Sequence, residues 1–246
     1  LAASYDSSLQ SDCKLSLEKN KKDVCWGETD TGSCNILSTA IATLALQHIG
    51  EDVDEQIEWL LDRKKTDTGL TWYLEIDSNN RTECNVNGQQ ITIEENKKIS
   101  GTPPAGLTKA YDNYWFQIND IQKNYTISCD KDFVTALLYQ KSGSNVFHVS
   151  SETKSGSEFD SIVEKVDSYC LANSNVCDYE GTLWSAIVFA KEGKDISSLI
   201  PYLTSMSNNV ENKKFIPSAF LYILTNSDEY YSDLISLQKS NSYWDE

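Results

Sequence analysis

One phrase recurs along this chain and narrows the folds open to it: a helix, a short polar break, then an aromatic residue. In the first copy Ile57-Glu58-Trp59-Leu60-Leu61 leads through Thr66-Asp67-Thr68-Gly69 to Trp72, and in the second Leu234-Ile235-Ser236-Leu237-Gln238-Lys239-Ser240 leads to Trp244. A looser third copy takes Ala136-Leu137-Leu138-Tyr139-Gln140-Lys141-Ser142 through Gly143 to Phe147, and shares the Gln-Lys-Ser of the second. Repeats of this kind predict stacked helical hairpins, each burying its apolar face only against its neighbours. The expected class is therefore mainly α.

The rest of the chain is divided on that basis. Residues 1–34 are polar and cysteine-bearing, with Leu15, Leu17 and Val24 as scattered apolar contacts, and read as an N-terminal arm. Residues 35–246 read as one helical domain carrying a small β insertion at about 71–128. The 4-3-4 spacing of Leu37, Ile41, Leu44 and His48 predicts the buried face of a first helix that ends at Gly50. Val53, Ile57, Leu60 and Leu61 mark its partner, with Asp52, Asp54 and Glu55 suited to the positive end of the helix dipole. Thr71–Ile76, Gln90–Ile93, Tyr114–Ile118 and Tyr125–Ser128 have strand texture, and Asn87-Gly88 is a turn signal. Helix is expected again from Asp132 through Phe133, Ala136, Leu137 and Gln140. A Ser, Lys and Gly-rich linker is expected at 150–157. Further helices are expected through Phe159, Ile162, Val163, Val166 and Cys170; through Leu183, Trp184, Ile187 and Val188; at Ile196–Met206; and at Pro217–Leu224.

Composition excludes some partners and points to a compartment. Lys and Arg number 21 against 37 Asp and Glu, a net charge of −16, which repels nucleic acid and anionic headgroups. Seven cysteines without a CxxC pair argue for disulfides in an oxidising compartment over a zinc ribbon. Cys170 and Cys177 flank a short polar loop and suit a local bridge; Cys84 with Cys129 and Cys25 with Cys34 are the further pairs, leaving Cys13 free or intermolecular. Asn80-Arg81-Thr82 and Asn124-Tyr125-Thr126 are sequons, with Asn80 and Asn124 as the glycan acceptors. No stretch approaches the ~20 apolar residues of a membrane span. The start at Leu1-Ala2-Ala3-Ser4 is that expected after removal of an export signal.

Trp59-Leu60-Leu61 with Gly69 and Trp72, and Leu237-Gln238 with Trp244, resemble the repeats of the α/α-toroid of terpenoid cyclases and protein prenyltransferases. The resemblance covers about two thirds of the chain and implies a toroid scaffold. The family's chemistry does not carry over. Asp52-Val53-Asp54-Glu55 departs from the DxDD acid of the cyclases and stands where a helix start favours acids anyway. No DDxxD is present, and His48 and His148 are the only histidines for a zinc site or a catalytic base. Cys25-Trp26-Gly27-Glu28-Thr29 departs from the Cys-Gly-Glu-Gln of the related thioester domains. Trp59, Trp72, Trp115, Phe133, Trp184, Phe189 and Phe220 could line an apolar toroid pocket, although aromatics at such spacing more often form core.

These readings converge on a secreted or cell-surface prokaryotic structural protein, a subunit of an extracellular filament, lattice or adhesive assembly. Self-association is expected through the N-terminal arm or the β insertion. No catalytic residue, cofactor or metal is assigned, and the reading leans away from an enzyme. The alternative is a cyclase-like enzyme or a carrier acting on an isoprenoid or other apolar ligand.

Overall fold

A computed structural model describes residues 7–66, 68–240 and 243–244. Among them are eight helices and thirteen strands in three antiparallel sheets, so the fold is α+β. The mainly α class and the α/α-toroid are thereby corrected. The chain divides into a helical unit, residues 1–68 and 168–246, and a β unit, residues 69–167.

The helical unit opens with α1 (Ser7–Asn20), in the segment that reads as an arm. A loop closed by the Cys25–Cys34 disulfide follows. Trp26 anchors this loop: its indole N–H donates to the Leu17 carbonyl at 2.8 Å, and its backbone N–H donates to Thr39 Oγ1 at 3.1 Å. Asn35 caps α2 (Ile36–His48) by accepting from the Ser38 N–H at 2.8 Å. The expected apolar face of α2 is wrong, since Ile41 is 45% exposed and His48 lies in solvent. Ile36, Thr39, Ala40, Thr43, Leu46 and Gln47 are buried instead. Polar residues can occupy this face because each makes at least one hydrogen bond, although Gln47 Oε1 has no partner among the described residues. Thr43 Oγ1 donates to the Thr39 carbonyl, and Gln47 Nε2 donates to the Val188 carbonyl and to Glu192 Oε1. The next helix, α3 (Asp54–Leu61), buries Val53, Ile57 and Leu60, as the sequence pattern predicts. Strand β1 (Lys64–Lys65) closes this first segment.

The β unit contains β2 (Leu70–Asp77), β3 (Thr82–Val86), β4 (Gln89–Ile93), β5 (Ile99–Ser100), β6 (Leu107–Ala110), β7 (Trp115–Ile118), β8 (Tyr125–Cys129), β9 (Phe133–Lys141), β10 (His148–Gly156) and β11 (Ser161–Glu164). One sheet has the order β10-β9-β2-β7-β6 and the other β11-β8-β3-β4-β5. Their inner faces share one core, to which Trp72, Leu74, Ile76, Phe116 and Tyr139 come from the first sheet and Val86, Ile91, Ile93, Ile127 and Ile162 from the second. Asn87 and Gly88, at φ +51° and +87°, form the two-residue β3–β4 turn where the Asn-Gly signal stands. Cys84 and Cys129 are direct cross-strand partners on β3 and β8 and are joined by a disulfide.

Three expected elements are corrected within this unit. Phe133–Lys141 is strand β9, not a helix. It is a central strand buried on both faces, and such a run lacks the alternation that would separate it from a buried helix. This removes the third copy of the helical phrase, and Trp72, the end of the first, lies within β2. Residues 150–157 belong mostly to edge strand β10, whose pairing with β9 is interrupted between Val149 and Thr153. The expected helix through Phe159 and Val166 contains β11, in which Ile162 and Glu164 face inward and Val163 outward.

After the β unit the chain re-enters the helical unit through β12 (Cys170–Asn173), which pairs antiparallel with β1 and with β13 (Val176–Cys177). The two points where the chain leaves and rejoins this unit are thus adjacent strands of one sheet. The Cys170–Cys177 disulfide staples its last turn. Helix α4 (Tyr179–Lys191) is capped by Asp178, which accepts from the Gly181 N–H, and packs on α2. Then come α5 (Ile200–Ser207), α6 (Val210–Lys213), α7 (Pro217–Thr225) and α8 (Asp228–Leu237). Pro217 takes the first turn of α7, where no N–H is required. Beyond α8, Trp244 pairs with Gln238 and its indole N–H donates to the Leu234 carbonyl at 2.8 Å. Asp67 of the first phrase, and Asn241 and Ser242 of the second, lie outside the described residues. No described helix is long and apolar enough to cross a membrane.

Candidate binding face

The alternation of β2 builds the site. Trp72, Leu74 and Ile76 enter the core of the β unit, so Tyr73 and Glu75 stand on the opposite face of the sheet. Cross-strand register adds Gln117 from β7 and Leu138 from β9 beside Tyr73, and Gln140 from β9 beside Thr71. Trp115 opens β7 on the same face, and its indole N–H donates to Glu75 Oε1 at 3.2 Å. The β6–β7 turn then contributes Tyr111, and the segment before β10 contributes Phe147.

Tyr73, Tyr111, Trp115 and Phe147 form a closed set of ring contacts. All six centroid separations fall between 5.0 and 6.0 Å, with edge-to-face or tilted geometry, the arrangement that aromatic quadrupoles favour. Tyr111, Asp112 and Asn113 run consecutively at φ +48°, +55° and +71°. Asp and Asn adopt the left-handed region readily, whereas a tyrosine there costs about 1 kcal/mol. Ring contacts with Tyr73, Trp115 and Phe147 hold Tyr111 in that conformation, yet it remains 46% exposed.

Gln140 is the polar centre of the set. Its Nε2 donates to the Tyr73 hydroxyl at 2.7 Å and to the Tyr111 hydroxyl at 3.1 Å, and the two hydroxyls are 3.5 Å apart. The residue is only 7% exposed, and its Oε1 is buried with no hydrogen-bond partner among the described residues. Burial, and next the contact with the Tyr111 hydroxyl, push the Tyr73 phenol up to about 12. Tyr73 therefore stays neutral through the physiological range.

The other residues singled out in the sequence are placed as follows. Disulfides join Cys25 to Cys34, Cys84 to Cys129 and Cys170 to Cys177, and Cys13 is an exposed free thiol on α1. These bridges accord with an oxidising compartment. Asn80 and Asn124 are both exposed, one between β2 and β3 and the other just before β8. Asp52 caps its own neighbourhood, accepting from the Asp54 N–H at 3.0 Å. His48 is exposed at the end of α2, and His148 stacks on Tyr139 at 5.3 Å. Among the described residues no group of three or more His, Cys, Asp or Glu is placed to hold a metal ion.

The aromatics expected to line a toroid pocket do not gather. Trp72 and Phe133 belong to the β core, and Trp115 lies on the outer face of its sheet. In the helical unit, Trp59 lies under the Arg63 guanidinium at 3.1 Å, Trp184 meets Phe220 edge to face at 5.0 Å, and Phe189 is core. Tyr73, Glu75, Tyr111, Gln140 and Phe147 were not assigned to a site from the sequence. The strand texture of Thr71–Ile76 and Tyr114–Ile118 does place Tyr73, Glu75 and Trp115 on alternate positions, but nothing local brings Gln140, Tyr111 and Phe147 to them. Comparison with known protein families, curated proteins and solved structures finds no match for this chain.

Proposed function

We propose that this chain is an exported protein of the cell surface or extracellular space that takes part in an adhesive assembly, with the aromatic face of its β unit as the contact surface. The observation that carries the reading is the set of Tyr73, Tyr111, Trp115 and Phe147, which folding brings together and leaves partly open. Clustered aromatics with a few fixed polar groups are the composition of interaction hot spots. Three disulfides, two exposed sequon asparagines and the net charge of −16 support export and life in an aqueous exterior. The exposed thiol of Cys13 would allow a covalent link between copies through the N-terminal helix.

The resemblance to the cyclases rested on a toroid and falls with it. The assembly reading is tested by light scattering after size exclusion across a range of concentrations, with electron microscopy of the same oxidised sample. Growth in mass with concentration, or visible polymers or clusters, is the expected result. A monomer at every concentration that also adheres to no polysaccharide or cell surface would overturn it.

A further inference from the structure

We infer that the aromatic face of the β unit binds a neutral oligosaccharide chain. The inference rests on the adhesive reading above and names its ligand class. Three observations on one face carry it. The first is the rings: Tyr111 is half in solvent and Trp115 and Phe147 are partly so, which leaves π-faces and edges for the C–H groups of a sugar. The second is the flanking chemistry of the same strand faces. Cross-strand pairing places Thr71, Gln117, Gln140 and Thr108 beside the rings, and Asn119 Nδ2 reaches Thr108 Oγ1 at 3.3 Å. These are hydroxyls and carboxamides, able both to donate and to accept, as sugar hydroxyls are. Glu75, tied to the Trp115 indole, and Asp112, next to Tyr111 and paired with Lys98, are charged neighbours; the acidic side chains disfavour acidic glycans. The third is Gln140 Oε1, an acceptor on a residue 7% exposed that meets no donor among the described residues. A buried carbonyl oxygen without a donor is an unmet hydrogen bond, which a sugar hydroxyl would satisfy as the Gln140 carboxamide turns outward on binding. Four rings that already touch one another leave no space for a cation between them, which disfavours a quaternary-ammonium cage.

The probes are cellotriose, chitotriose and mannotriose, titrated into the intact oxidised chain. Binding is followed by Trp115 indole resonances in NMR spectra and by calorimetry. At least one sugar is expected to shift the Trp115 signal, with affinity weakened about tenfold by Tyr111→Ala, at a turn position that is half exposed. Trp115→Phe keeps a ring and serves as the second variant: it is expected to retain binding while losing the indole signal. A folding defect is read separately from the melting temperature. If no probe shifts these resonances, the inference is overturned; equal affinity in Tyr111→Ala overturns it as well. The same samples are followed by light scattering. Assembly that persists without any sugar response leaves the adhesive reading standing and removes only the glycan, whereas loss of both removes both.

Discussion

Two side chains of the β unit illustrate how a single residue carries a measurable consequence. Tyr73 has a folded pKa raised to about 12 from 10.0, burial being the main cause. A raised pKa means that the neutral phenol is favoured in the folded state. Its contribution to stability is therefore complete below pH ~10 and lost as pH rises through about 12. Absorbance of phenolate during an alkaline titration should show a late component to which Tyr73 contributes, and Tyr73→Phe should reduce it, with Tyr125 and Tyr230, also raised by burial, keeping part of the rest. Tyr179 and Tyr202, raised further by burial, should ionise only as the helical unit unfolds. Glu164 is the second case, a carboxylate 2% exposed that accepts from Thr135 Oγ1 at 2.6 Å and from Lys154 Nζ at 3.0 Å. Lys154→Met leaves that carboxylate buried without its cation and should cost about 2–3 kcal/mol, below the usual range for a fully buried pair because Lys154 is partly solvated. Glu164→Gln should cost about 1 kcal/mol. Urea denaturation of the two variants orders them; equal costs would remove the ion pair from the account. Glu164 also explains a misreading. Ile162, Glu164, Val166 and Ser168 alternate as buried positions, but two of the four are polar, so an apolar count across that stretch favours helical spacing.

At the scale of elements, legibility followed exposure to solvent on one side. Strands β2, β3–β4, β7 and β8 are readable because core residues alternate with residues of another character, polar or, at Tyr73 and Trp115, aromatic with a polar tip, and Asn87-Gly88 marks its turn without ambiguity. Helices α3, α4, α5 and α7 are readable from apolar periodicity and from Pro217. Strand β9 is not, because both its faces are buried and its Ala-Leu-Leu run suits a helix equally well until β2 and β10 pair with it. The repeated helix-to-aromatic phrase failed for the same reason, since it scored local composition where long-range pairing decides. The candidate site was half legible: Tyr73, Glu75 and Trp115 follow from alternation, whereas Tyr111 needs a turn with three left-handed residues that composition does not announce. Among the linking elements, Cys84–Cys129 spans 45 residues of sequence, against 9 and 7 for the other two bridges. Loop-closure entropy gives it about 4 kcal/mol and the others about 2.5 kcal/mol each. Replacing both Cys84 and Cys129 with Ala should lower the melting of the β unit most, and near-equal losses from all three double variants would contradict this ordering.

For the whole molecule, an acidic, disulfide-bridged α+β chain with an inserted β unit leaves its chemistry on one sheet face. The claim that this face meets something outside the chain is tested most directly by hydroxyl-radical footprinting read by mass spectrometry. Tyr111, Trp115 and Phe147 are labelled in the dilute monomer and again in the assembled or surface-bound protein. Phe159, 73% exposed and in the same unit, serves as the internal control. The account predicts strong labelling of all three in the monomer and protection of about tenfold on assembly or adhesion, with Phe159 unchanged. Equal labelling of Tyr111 and Trp115 in the two states, or protection confined to other surfaces, would contradict it.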